Sequence, residues 1–377
     1  MRNAITAVLA VLLCTAVLAQ PPAPAQPAPP PAPSATAPAP APAEQPTPPV
    51  AEQPQPEKVR LELKFSPGQV LRYRAFADLT ANMDMNMSPQ PPQPIPMQIM
   101  FAGKAQAVAT AKVVRRDAYG GTRLQVRLDN GSLAMDMMGK KLLISFAGGK
   151  VVITGDGQKI SQDQLPQLAG GQAIPLLQKP IEVKLGKRGQ ILDITIPGFE
   201  KQWQQMMAQV KKMYAGTDPM TLLRQSQVLL PADPVAVGDN WRQHVEIPVA
   251  GAGTPVVYDM TFTLDKLAVV NGKQIATIST QARQTVNNLD LGAMAKQGMP
   301  PGAPGMPQVP MSGKMSGEAV ISGKALFNVT AGTFDRYDFR ADMNFSMNTT
   351  VTGASGQQPI TMAMNMAGQI SGALARL

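Results

Sequence analysis

Residues 71–87 read LRYRAFADLTANMDMNM, and from Leu71 onward every second residue is apolar or aromatic. Successive side chains of a β-strand point to opposite faces, so this spacing predicts one strand with an apolar face and a more polar one. At about 3.3 Å per residue, an unbroken strand of this length spans roughly 55 Å, well beyond the usual five or six residues. The apolar face carries Leu71, Tyr73, Ala75, Ala77, Leu79, Ala81, Met83, Met85 and Met87.

Similar alternation flanks this stretch and returns along the chain. Residues 58–65 alternate charged and apolar residues and predict a half-buried strand, while 97–114 predict a return strand with alanines on one face. Further strands are predicted within 122–196 and 241–374. Small side chains on long strands favour strong curvature, because bulky ones would collide on a concave side. The predicted fold class is mainly β, with long antiparallel strands in curved sheets or a half-barrel.

The period changes once, near the middle of the chain. Apolar residues at helical spacing over 199–214 predict a helix, and Asp218-Pro219 predicts the start of a second, short one. The predicted organisation is a first β-rich half at 58–197, a helical connector at 198–229 and a second β-rich half at 230–377, with a flexible Met/Pro/Gly-rich loop near 289–315.

A faint internal repeat relates the two halves. Six residues between Gly68 and Met83 recur 264 positions later, between Gly332 and Met347. The return strand repeats as well, one residue out of step. Each copy consists of a long strand, a polar tip with proline and a long return strand, so the repeat predicts two related halves.

The N-terminus predicts export. Arg2, an uncharged apolar run over 4–18 and the small residues of Val17-Leu18-Ala19 give the three zones of a signal peptide. Cleavage ahead of Gln20 would remove residues 1–19. The apolar run is shorter than the roughly 20 residues that a spanning helix needs, which favours a cleaved signal over a permanent anchor. The predicted location is the periplasm, the cell envelope or the extracellular space.

A spacer follows the predicted signal. Residues 20–57 are mainly Pro, Ala and Gln, a composition that cannot bury a core and favours an extended, disordered segment. Cys14 would be the acylated residue if the signal were that of a lipoprotein. Leu13 stands directly before it, however, where such signals place a small residue. Lipid anchoring at Cys14 is therefore the weaker alternative to simple cleavage.

The chain is basic, with 34 Lys and Arg against 25 Asp and Glu, a net charge of +9 and a pI near 9.6. For an exported protein this charge favours anionic lipid, lipopolysaccharide or wall polymer as partner, and no nucleic acid. The basic residues are dispersed, however, so solubility alone is the simpler explanation of the charge. The oligomeric state stays open.

Motifs of catalysis are absent from the sequence. The chain has one histidine, His244, and no G-x-S-x-G, G-x-x-x-x-G-K-[ST] or strand-linked G-x-G-x-x-G motif. Zinc sites need several His or Cys ligands, and there is one of each. Paired carboxylates leave no spacing signature and stay open. The prediction is a protein that is not an enzyme and carries no cofactor.

Methionine is the unusual residue, with 24 in the chain, many spaced two apart. On a strand this spacing places side chains on one face, about 6.6 Å apart. They could fill a core, since methionine adapts to irregular gaps. They could also line a concave site for a lipid, with Leu71, Tyr73, Leu79, Met83, Met85 and Met87 as the predicted lining. A third interpretation is Cu(I) or Ag(I) binding by the thioethers of Met83, Met85, Met87, Met362, Met364 and Met366.

Two segments resemble exported bacterial β-rich proteins of unknown function, often lipoproteins. They are Phe65–Tyr73, FSPGQVLRY, and Leu230–Trp241, LPADPVAVGDNW. The resemblance implies an envelope setting and an antiparallel β fold, and it implies no site residues. Binding of a hydrophobic ligand is the leading functional prediction. Metal binding and a structural or adhesive role at the cell wall are the alternatives.

Overall fold

The computed structural model describes residues 57–88, 97–117, 121–137, 139–160, 179–213, 230–247, 254–292, 311–351 and 359–377. The predicted signal peptide, the predicted spacer up to residue 56 and residues 214–229 of the predicted connector lie outside the described residues.

Within these residues, fourteen strands form one antiparallel sheet. The prediction of a mainly β fold with long antiparallel strands is confirmed. The first half holds β1 Val70–Ser88, β2 Met97–Arg116, β3 Thr122–Met137, β4 Lys140–Ala147, β5 Lys150–Gly155, β6 Gln158–Ile160, β7 Ile181–Leu185 and β8 Ile191–Thr195. Helix α1, Glu200–Met213, precedes β9 Asn240–Ile247, β10 Val256–Val270, β11 Lys273–Asp290, β12 Met311–Asn328, β13 Thr333–Val351 and β14 Ile360–Arg376.

The two halves share this sheet. Its strand order is β6-β5-β4-β3-β2-β1-β14-β13-β12-β11-β10-β9, while β7 and β8 form a hairpin that pairs with the start of β3. The first and last strands, β1 and β14, are therefore neighbours at the centre. In the described part of the chain β6 and β9 are the edges and do not pair with each other, so the sheet stays open.

The core lies on the inward face of the sheet, towards one end of the strands. Leu124 of β3, Phe262 of β10 and Phe327 of β12 belong to one buried cluster, and both phenylalanines are 0% exposed. A flat single-layer sheet would leave such residues in water. The β7–β8 hairpin and residues 58–65 belong to the same cluster and cover these residues on that face.

Residues 58–65 do not pair as a strand of the sheet, so the prediction of a strand there is wrong in its hydrogen bonding. The alternation is real, since the four apolar side chains are buried at 1–7% exposure. The backbone, however, has only an isolated bridge between Val59 and Val235. The Leu63 N–H donates to the Lys187 carbonyl at 2.7 Å, in the turn of the β7–β8 hairpin. The segment thus bonds to turns and a bridge instead of a strand edge, while its apolar side chains belong to the core.

The predicted flexible loop near 289–315 is wrong at both of its ends, which belong to strands. Strand β11 continues to Asp290 and β12 begins at Met311, with Leu289 paired to Met315. A register shift between Val286 and Leu289 allows β11 and β12 to remain paired beyond the point where apolar and polar residues of β11 stop alternating. Residues 293–310 lie outside the described part.

Helix α1 occupies 200–213, where the apolar residues change to helical spacing. Its Glu200 stands in the first turn, where a negative charge suits the helix dipole. No described helix is long and apolar enough to cross a membrane.

Candidate ligand-binding face

Away from the core, the inward side of six central strands forms what we name the methionine face. It spans β3, β2, β1, β14, β13 and β12, between the row that contains Leu79 and the row that contains Met87. Directly paired residues of neighbouring strands point to the same side of a sheet, so the register assigns its members. Its methionines with described side chains are Met83, Met85, Met87, Met135, Met315, Met343, Met347, Met362, Met364 and Met366.

The two methionine triplets meet one to one at the centre of this face. Strands β1 and β14 are antiparallel neighbours, and their register places each triplet member opposite a member of the other. Directly opposite side chains have Cβ atoms about 4.5–5.5 Å apart, which is within reach of two thioethers. The three pairs are Met83 with Met366, Met85 with Met364, and Met87 with Met362.

The middle pair continues into a row that crosses four strands. Met364 is also opposite Met347 of β13, and Met347 is opposite Met315 of β12. Met315 and Phe345 pack against a small second cluster formed by Val286 and Leu289. The row is therefore supported at its β12 end by β11.

The face is accessible, unlike the core. The six triplet methionines are half-buried and belong to neither hydrophobic cluster of the described residues. Met260, by contrast, lies within the main cluster at 4% exposure. Met260 is therefore a core residue, whereas the triplet methionines are only partly buried and lie outside both clusters.

The face is large and uncharged. From Leu79 to Met87 it measures about 26 Å along the strands, at about 3.3 Å per residue. Six strands about 4.8 Å apart add about 24 Å, for a projected area near 600 Å². Within these rows every described inward position is apolar or glycine except Thr349.

Glycine lowers part of this surface. Gly317 has φ +157°, and a Cβ placed there would lie 2.6 Å from Cδ1 of Phe345 on the neighbouring strand. The Phe345 ring therefore lies across the Gly317 backbone. Gly368 is similarly close, because a Cβ there would lie 3.0 Å from the Cβ of Ala81. At these two positions a larger side chain would therefore collide with the neighbouring strands.

The opposite side of the same strands is polar and exposed. Asn82, Asp84 and Asn86 alternate with the β1 methionines and are all exposed. Asp84 is paired with Asn365, so both point away from the methionine face. Neither can donate oxygen ligands or charge to that face.

The predicted lining residues separate into two groups. Leu71 is 2% exposed in the core, and Tyr73 is half-buried beside it. The Tyr73 hydroxyl donates to the Phe334 carbonyl at 3.2 Å, and burial raises the pKa of this phenol to about 12. Leu79 and the β1 triplet instead lie on the methionine face. These two groups occupy opposite ends of β1.

Strands β13 and β12 contribute residues to the methionine face that were not predicted from the sequence. Met343, Phe345 and Met347 also stand two apart, so the same period-2 signal was present in the sequence. Met315 carries no comparable signal. It joins the face only because β12 extends further than its alternation indicates.

His244 lies apart from the methionine face, on the edge strand β9. Its Nδ1 is 2.5 Å from Asp259 Oδ1 and its Nε2 is 3.4 Å from Glu246 Oε1. These hydrogen bonds, the one to Asp259 above all, raise the pKa of the imidazole. Across the described ranges, no group of three or more His, Cys, Asp or Glu is placed to hold a metal ion.

A model for a family of unknown function, DUF6263, matches residues 123–334 of the chain. No curated protein sequence matches it significantly. A lipovitellin structure, described by its lipid–protein interactions, is similar at 10% identity and a TM-score of 0.36, over 83% of this chain and 25% of that chain. This chain thus covers a quarter of the lipovitellin chain. OpdQ of Pseudomonas aeruginosa is similar at 6% identity and a TM-score of 0.20, over 82% and 99%. Both TM-scores are below 0.5, so the function is argued from the chain's own residues.

Proposed function

Because the chain belongs to DUF6263, a family of unknown function, its role must be inferred from its residues, and we propose that it is an exported, non-enzymatic protein that binds a lipid by its acyl chains. The observation that supports this is the methionine face, which is large, uncharged and only partly buried. Contiguous apolar surface that remains partly exposed is typical of surfaces that receive a partner. Met83, Met85, Met364 and Met366 form its centre.

The dimensions of the face suit an acyl chain. One leaflet of a bilayer core is about 15 Å thick, and the face is about 26 Å long along the strands. A chain lying along β1 and β14 would therefore contact apolar side chains over its whole length. Each buried CH₂ contributes about 0.8 kcal/mol, so extended contact is needed for useful affinity. Methionine suits a flexible ligand, because its unbranched side chain adapts to irregular shapes.

Charge and targeting are consistent with a lipid of the cell envelope. The net charge of +9 favours a ligand with an anionic headgroup. The N-terminal segment has the order of a signal peptide, which would deliver the chain to the compartment where such lipids are accessible. We assign no catalytic step to the protein, and binding alone accounts for the face.

The first test is native mass spectrometry of the chain purified from its own host. We expect masses that exceed the apo mass by that of a lipid. A clean apo mass, together with salt-sensitive binding to isolated envelope, would support an adhesive role and contradict lipid carriage.

The second test places charge on the face. In a displacement assay with a fluorescent fatty acid and oleate, Met85→Asp with Met364→Asp adds two carboxylates to the central pair. We expect affinity to fall by at least about tenfold, equivalent to about 1.4 kcal/mol, because a bound chain would desolvate both charges. The matched control, Asn86→Asp with Asn365→Asp, adds the same charge to the exposed opposite side. Equal affinity losses in the two double variants would refute the assignment of the face.

A further inference from the structure

We propose that the paired triplets also form a binding site for a soft monovalent ion, Cu(I) or Ag(I). Met83, Met85, Met364 and Met366 occupy the corners of a rectangle, because two direct pairs stand two residues apart on each strand. Its sides are about 4.8 Å across the strands and about 6.6 Å along them. Each side chain has three rotatable bonds, so four sulfurs can converge on one ion above its centre. Met87 and Met362 complete a second, overlapping rectangle.

The ligand chemistry selects the ion. Thioether sulfur is a soft ligand and prefers Cu(I), whereas carboxylate and carbonyl oxygens suit Mg²⁺ and Ca²⁺. The methionine face offers no carboxylate or imidazole among its described residues, since Asp84 and Asn365 point to the other side. A divalent ion would therefore meet no compensating charge, and desolvation would oppose its binding. A monovalent soft ion carries a smaller penalty and matches the available sulfur.

Accessibility separates these methionines from structural ones. The six triplet side chains are half-buried, so an ion from solution can reach them without unfolding the sheet. Met260 is 4% exposed in the core and offers no such access. The site is also pre-aligned, because the β1–β14 ladder fixes both triplets in register from Tyr73–Arg376 to Ser88–Thr361.

The test is an anaerobic Cu(I) titration of the full chain in competition with a chromogenic chelator. Cys14→Ser is the background, because a thiolate would itself bind Cu(I). The triple variant Met83→Leu, Met85→Leu and Met87→Leu removes three sulfurs and keeps the apolar volume. We expect its affinity to fall by more than about 100-fold, since loss of an outer-shell partner alone costs about 10- to 100-fold. Unchanged affinity would overturn the proposal.

Two single variants serve as controls. Met100→Leu changes a methionine that is 65% exposed on the other side of β2, and His244→Gln removes the only imidazole. Neither is expected to alter Cu(I) affinity. A loss of affinity in His244→Gln equal to that of the triple variant would place the ion elsewhere.

Two measurements on the background protein need no triplet variant. X-ray absorption of the Cu(I) complex should show sulfur neighbours only, and a nitrogen or oxygen shell would contradict the site. Affinity should also be the same at pH 5 and pH 7, because a thioether has no proton to lose. Sites built on Cys or His weaken in acid, since their ligands must be deprotonated.

The leucine variants also distinguish the ion site from lipid binding. Leucine preserves an apolar surface, so the triple variant should still bind the fluorescent fatty acid while losing Cu(I). If the aspartate variants lose fatty-acid binding, the lipid proposal is supported, and the Cu(I) titration of the leucine variant decides the ion site separately. The two proposals can therefore fail independently.

Discussion

The same substitution, methionine to alanine, should have graded costs at three positions because their exposures differ. Met260 is 4% exposed in the core, Met85 is half-buried on the methionine face and Met100 is 65% exposed on the opposite side. If the methionine face is open to solvent, the cost at Met85 must lie well below the cost at Met260. If another part of the protein covers it, the two costs must be similar.

The magnitudes follow from burial. Met260→Ala removes a fully buried side chain and leaves a cavity, so we expect a loss of about 3 kcal/mol, within the range of about 2–5 for such sites. Met85→Ala opens no enclosed cavity and loses only the part of a transfer free energy of roughly 1.5–3 kcal/mol that its partial burial provides, which gives about 1–2 kcal/mol. For Met100→Ala we expect a change within about 0.5 kcal/mol, as for surface sites.

The assay is urea unfolding of the three variants beside the parent protein, with the midpoints compared at a common slope. A shared slope shows that the surface exposed on unfolding is unchanged, so midpoint shifts report stability. Equal losses for Met85→Ala and Met260→Ala would refute the reasoning. Such a result would show that the methionine face is core, and both binding proposals would lose their basis.

Three further outcomes test other parts of the account. Leu61→Ala should cost about 3 kcal/mol in the same urea assay although no strand ladder contains it, because Leu61 is 1% exposed, and a negligible loss would contradict its place in the core. Gly332→Ala should cost about 2 kcal/mol, since Gly332 has φ +62° and a Cβ there would lie 2.3 Å from the Lys64 backbone nitrogen; unchanged stability would contradict that close approach. The imidazole of His244 should titrate above the ordinary pKa of 6.5 in an NMR titration, and Asp259→Asn should lower the pKa of this imidazole. The hydrogen bond then contributes fully to stability below pH 6.5, and this contribution is lost as pH rises through the higher, folded-state pKa. An unshifted titration midpoint would contradict the hydrogen bond.

Much of the sheet could be predicted because alternation records which side of a strand is buried. Residues 71–87 predicted one long strand, and β1 runs from Val70 to Ser88. Residues 58–65 show the limit of this signal. They alternate because one side enters the core, yet their backbone bonds to turns and a single bridge, and nothing in a period of two identifies the hydrogen-bond partner.

The sequence allowed us to predict which residues of β1 share a face, but not which strand lies beside β1. Spacing alone places Met83, Met85 and Met87 on one side of a strand. That β14 lies beside β1 depends on the order of the whole sheet, which joins the two ends of the chain. Leu71 shows the converse, because it shares a side with these methionines and yet is buried by residues distant in sequence.

The one-to-one pairing of the triplets rests on the register between β1 and β14, and disulfide formation measures that register directly. In the Cys14→Ser background, Met85→Cys with Met364→Cys should oxidise readily to a crosslink, because direct partners have Cα atoms about 4.5–5.5 Å apart, within disulfide range. Met85→Cys with Met362→Cys is two residues out of register, with Cα atoms about 7–8 Å apart, and should crosslink poorly. Faster crosslinking of the second pair, or none in either, would contradict the one-to-one pairing of the triplets.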